Sequence, residues 1–106
     1  QVALDLDNGN VYFGLNGDWG DNDGNFDEAF GNATAFFGSI NTNGFWTAYL
    51  LKNVTADNVL TLSANFGSPS FAISSGNADG DGHGNFEFAV PSGYFALCTK
   101  NLAEYG

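Results

Sequence analysis

An alternating stretch opens the chain: Val2-Ala3-Leu4-Asp5-Leu6-Asp7, then Asn8-Gly9, then Asn10-Val11-Tyr12-Phe13-Gly14-Leu15. Asn-Gly is the dipeptide that best tolerates positive φ at both central positions of a type I′ turn, whose twist matches two antiparallel strands. A two-residue loop at Asn8-Gly9 predicts Leu6 opposite Val11, Leu4 opposite Phe13 and Val2 opposite Leu15. Strand side chains alternate with period two, so these six apolar residues share one face and are expected in the core. Asp5, Asp7 and Tyr12 take the other face, where the carboxylates keep the surface wet and accept hydrogen bonds of the turn. A hairpin with one apolar face must close against a second layer. The expected class is therefore all-β, an antiparallel sandwich.

The rest of the chain reads the same way. Residues 45–51 form a strong strand pattern, 52–57 a turn, and 58–66 a returning strand whose Leu60, Leu62, Ala64 and Phe66 face the core. Gly67-Ser68-Pro69 ends it, since proline cannot donate to a ladder. Shorter strands are expected at 71–73, 86–90 and 94–98. No stretch carries a helical period or helix caps, so no helix is expected. Two glycine-rich acidic loops, 20–31 and 74–84, interrupt the strands. Loops of that length in compact domains are commonly functional or disordered.

Charge removes whole classes of function. Two basic residues stand against twelve acidic ones in 106, a net charge of −10. A groove for phosphates needs clustered Lys and Arg, so nucleic-acid binding is excluded and anionic membrane surfaces are disfavoured. No apolar run approaches the roughly 20 residues that span a bilayer. Residues 1–106 make one domain or part of one. Strand character from the second residue, after Gln1, suggests a chain cut from something longer. Cys98, the lone cysteine, reads as a small buried hydrophobe in a strand. Eleven phenylalanines, fifteen glycines and few charges suit an extracellular or virion β-protein.

Three stretches carry a family resemblance. Val2-Ala3-Leu4-Asp5-Leu6-Asp7-Asn8-Gly9, running into Val11-Tyr12-Phe13 and Asn16-Gly17-Asp18-Trp19, is one. Leu62-Ser63-Ala64-Asn65-Phe66-Gly67 with Pro69 and Phe71 is the second, and 91–102, from Pro91-Ser92-Gly93-Tyr94 to Cys98-Thr99-Lys100-Asn101-Leu102, is the third. In that order they resemble the SPRY domain of bacteriophage and environmental viral proteins. The resemblance implies a bent, concanavalin-like β-sandwich of which this chain supplies the C-terminal half. The missing strands would then come from another part of the protein or from a partner, and the edge at Val2 would be continued by other residues. On that basis residues 1–106 are not expected to fold as an isolated monomer. SPRY domains are protein-interaction modules, so the resemblance also implies a partner protein.

Candidate ligand contacts lie in the two loops. Asp18, Trp19, Asp21 and Asp23, with Asp27 and Glu28, mark the first; Asp79, Asp81 and His83, with Asn77, mark the second. Hard cations such as Ca²⁺ take six to eight oxygens, but neither loop places the glycine and glutamate of an EF-hand, and the metal assignment stays open. Trp19 reads equally as loop anchor and ligand contact, whereas Trp46 reads as strand packing. His83 has no second histidine to work with, and Glu87 stands alone between phenylalanines, so no catalytic set is expected. The expected function is a non-catalytic virion structural or adhesion module whose loops recognise a protein or host receptor. The alternative is a carbohydrate-binding module, with Ca²⁺ assisting.

Overall fold

The computed structural model describes residues 1–36, 38, 40, 41, 43–47, 49 and 61–106. Four strands, β1 (Val2–Asp5), β2 (Asn10–Leu15), β3 (Asp18–Gly20) and β4 (Phe26–Glu28), form one antiparallel meander in chain order. A 3₁₀ turn follows at Phe30–Asn32, and a short helix, α1 (Thr99–Tyr105), lies near the C-terminus.

The opening hairpin forms, but in a different register. Val2 faces Phe13 and Leu4 faces Val11, two residues away from the predicted pairing, and residues 6–9 make a four-residue loop. The Asp5 carboxylate explains the difference. It accepts the Asn8 N–H at 3.0 Å and the Asn8 side-chain amide at 2.8 Å, holding Asn8 out of the left-handed region. An Asx-type bond of this kind competes with the tight turn. The second Asn-Gly pair makes the two-residue turn instead. Asn16 (φ 55°) and Gly17 (φ 105°) join Leu15 to its partner Asp18, as type I′ geometry requires.

A shift of two residues preserves which side chains share a face, yet the face expected in the core is largely exposed apart from Val11. Val2 is 66% exposed and Leu4 39%, and Leu6 and Leu15 are exposed as well. Val11 is buried, and Phe13 meets Phe36 edge-on at 5.3 Å. The side expected to stay wet carries Ala3, Tyr12 and Gly14, and here Ala3 and Trp19 are buried. Gly14 pairs with Trp19, and a Cβ at Gly14 would come within 3.2 Å of the indole. The Phe30 ring gathers Tyr12 at 5.2 Å, Trp19 at 4.8 Å and Tyr94 at 4.9 Å, all edge-to-face. Aromatic rings bury more area than the aliphatic row and prefer this geometry. They decide which face closes.

The C-terminal expectations change more. Of the strands expected at 45–51 and 58–66, residues 48 and 50–60 lie outside the described residues. Residues 45–47, 49 and 61–66 belong to no strand, and Leu62 and Phe66 are exposed. Residues 71–73, 86–90 and 94–98 form no strand; a single bridge joins Asn77 to Phe86. Helix α1 was not expected, because seven residues are too few to display a 3.6-residue period. A helix this short is marginal alone and depends on tertiary contacts. Cys98 is its N-cap and half-buried, not a strand residue. Trp46 is exposed, its indole N–H donated to the Asn41 carbonyl at 2.9 Å.

Candidate functional site

The two acidic loops share one local construction. In Asp21-Asn22-Asp23-Gly24-Asn25 the Asp21 carboxylate accepts the N–H of Asp23 at 2.9 Å and of Asn25 at 2.7 Å, and the Asp21 N–H donates to the Asn25 carbonyl at 3.0 Å. In Asp79-Gly80-Asp81-Gly82-His83 the Asp79 carboxylate accepts the N–H of Asp81 at 3.1 Å and of His83 at 2.8 Å, and the Asp79 N–H donates to the His83 carbonyl at 2.9 Å. The fourth residue is left-handed in each, Gly24 at φ 86° and Gly82 at φ 77°. Asp-x-Asp-Gly-x is thus a repeated unit. The first aspartate clamps the loop, and glycine supplies the turn that lets the chain close.

The outer carboxylate oxygens differ. That of Asp21 takes the side-chain amide of Asn25, within its own loop, at 3.0 Å. That of Asp79 reaches across the chain, accepting the Ala96 N–H at 2.9 Å and the Asn101 amide at 2.7 Å. Asn101 also donates to the Ala96 carbonyl at 2.8 Å, and both Asp79 (8% exposed) and Asn101 (4%) are buried. Burial pushes the Asp79 carboxyl upward, but donors from Ala96, His83, Asn101 and Asp81 outweigh it and hold the group at about 2. A carboxylate taking several N–H bonds behaves this way. The Asn25 amide and the loop N–H groups hold Asp21 below the usual carboxylate range in the same manner.

Other side chains close the second loop onto α1. The Tyr105 hydroxyl donates to Asp81 at 2.7 Å, and its ring packs on Phe95 at 4.8 Å. Bonding to Asp81 pushes the Tyr105 phenol up to about 12. Asn65 joins the Gly67 N–H and the Asn85 carbonyl, both at 2.8 Å. Glu87 accepts from the Ser74 N–H at 2.8 Å and from the hydroxyls of Ser74 and Ser75, which keep it ionised to lower pH.

Each residue singled out from the sequence now has a place. Trp19 is a core anchor, 4% exposed, with Phe30 against its ring. Asp18 is exposed where β3 begins, and Asp23 presents its carboxylate from the tip of the first loop. Asp21 and Asp79 are clamps, Asp81 holds Tyr105, and His83 contributes its main-chain N–H. Asp18, Asp21 and Asp23 share the β3–β4 hairpin; Asp79, Asp81 and His83 share the second loop. Among the described residues no three acidic, histidine or cysteine groups gather closely enough to hold a metal ion. Phe30, Ala96, Asn101 and Tyr105 escaped the sequence reading; the shared Asp-x-Asp-Gly spacing was the signal that could have exposed the clamps.

Two open recesses flank this region. One, of about 460 Å³, lies beside Asp79 and Asp81 and is walled by Val90, Pro91, Tyr94 and Phe95. The other, of about 390 Å³, lies between Trp19, Phe30, Phe88 and Pro91. Among the described residues no helix is long and apolar enough to cross a membrane. Compared with family models, curated proteins and solved structures, the chain has no significant match to any of the three.

Proposed function

We propose that the chain is a non-catalytic recognition module of a virion or other extracellular assembly, using its two clamped acidic loops to contact a partner protein or host receptor. In this reading the four-stranded sheet is part of one layer of a SPRY-type β-sandwich. The observation that carries it is the paired Asp clamp. Asp21 and Asp79 fix loop backbone in advance while Asp18 and Asp23 keep their carboxylates exposed. Ordering a loop before binding removes part of the entropy cost of association. Glu87, the acid most suggestive of hydrolysis, is occupied by Ser74 and Ser75 and serves as a local tie.

The recess beside Asp79 favours the second reading, a carbohydrate-binding module, because it joins aromatic walls at Tyr94 and Phe95 to an acidic rim. One experiment separates the two. Stoichiometric recovery of the chain in purified particles of the virus that encodes it, with silence on a glycan array, supports the first. Glycan binding without particle incorporation supports the second, and its loss on EDTA treatment would add the calcium-assisted form.

A further inference from the structure

Strand β1 has hydrogen-bonding capacity left over on its outer side. Antiparallel ladders alternate bonded and non-bonded pairs. Gln1 and Gly14 exchange both bonds, at 2.6 and 2.9 Å, so Ala3 with Tyr12 and Asp5 with Asn10 are bonded pairs as well. Val2 and Leu4 therefore turn their N–H and C=O groups away from β2. None of these four groups meets a partner among the described residues. Their side chains are exposed too. Natural edges of this kind are ordinarily blunted by charge, proline or a bulge; residues 2–4 carry none of these, and the one charge of β1 is Asp5 at its end.

We propose that the outer edge of β1 receives an extended strand of a partner protein, apolar on one side and basic on the other. Main-chain bonds from Val2 and Leu4 would supply the pairing, as in other cases of strand addition. The side shared with Val2, Leu4 and Phe13 calls for apolar residues. Charge selects the rest. Asp5 ends β1 and Asp7 follows it in the loop, and no Lys or Arg lies within residues 1–28. The other five carboxylates of that segment sit on β3, β4 or the loop between them, toward the far edge of the sheet. A second copy of this chain would set Asp5 and Asp7 against the same charges, whereas Lys or Arg on the added strand would meet them with opposite sign. This edge is separate from the acidic loops and does not depend on their role.

The probe is a short blocked peptide of strictly alternating Val and Lys, titrated into the native protein at low salt. The expected result is saturable binding that weakens with salt and slows hydrogen exchange at the Val2 and Leu4 amides. Leu4→Pro deletes an outward N–H without touching a β1–β2 bond. It should lose about tenfold or more in affinity, equivalent to one hydrogen bond. Leu4→Lys, which leaves the backbone unaltered, should also lose binding, because it sets a charge beside the valines of the added strand, and a Val/Glu peptide should not bind. No binding of the Val/Lys peptide, or undiminished binding by both variants, would overturn the proposal. So would protection of the two amides by rising protein concentration alone, since that assigns the edge to a second copy.

Discussion

The loops at 21–25 and 79–83 have the same spacing, the same main-chain bonds and the same left-handed glycine, but they do different work. Asp21 spends its second oxygen on Asn25, four residues away, and the loop is complete in itself. Asp79 spends its second oxygen on Ala96 and Asn101, so one carboxylate fastens the loop, the segment before α1 and the helix together. Around the first loop the fold is held by a ladder and by the rings on Phe30. Around the second it is held by side chains reaching backbone. One motif serves as a local turn in one place and as a tertiary junction in the other, and the direction of a single oxygen decides which.

Replacing the two clamps is the strongest way to break that comparison. Asp79→Ala strips acceptors from a buried N–H and a buried amide, and each such loss costs about 1–3 kcal/mol, so about 2–6 kcal/mol in total is expected from urea unfolding. Asp21→Ala should cost far less, because water replaces the carboxylate at an exposed loop. Equal effects would dissolve the distinction. Acid makes the next test. The Asp79 carboxyl sits at about 2, below its ordinary value of 3.8. Its contribution is therefore complete above the unfolded value and is lost as pH falls through the folded one. Acid titration of stability should show a component lost toward pH 2 that Asp79→Asn abolishes and Asp21→Asn leaves in place.

The backbone of the two loops should respond alike. A Cβ at Gly24 or Gly82 meets nothing within 4 Å, so only the positive φ resists substitution. Ala at either position should cost about 1–2 kcal/mol, with matching values. A large mismatch would mean that the loops differ in more than the outer oxygen. The smallest expected effect is spectroscopic. Asp81→Asn should bring the Tyr105 phenol down from about 12 toward its ordinary value of 10, followed by ultraviolet titration.

What the sequence reveals follows the same divide. Strands β1 and β2 are legible because alternation and an Asn-Gly turn are periodic, local signals. Their register was misread because Asp5 captures Asn8, a contact that no period records. The buried face was misread because counting apolar positions gives Val2 and Leu4 the weight of Tyr12 and Trp19, although rings bury more area. Beyond residue 60 the expected strands rested on runs of apolar residues, whereas the described structure there is organised by Asp79, Asn65, Glu87 and Asn101. Polar residues that satisfy distant backbone groups leave no pattern along the chain. Asp79 and Asp81 were visible as candidates, but Ala96 and Asn101, which give Asp79 its role, were not.

Residue-by-residue amide hydrogen exchange on the native chain and on Asp79→Asn tests the account most directly. In the native chain the Ala96 and His83 amides should be protected, held by Asp79 at 2.9 and 2.8 Å. In the variant that protection should vanish, while the Tyr12 and Gly14 amides of β2 and the Asn25 amide of the first loop keep theirs. Unprotected Ala96 and His83 amides in the native chain, or their undiminished protection in the variant, would contradict the assignment of Asp79 as the junction of the C-terminal region.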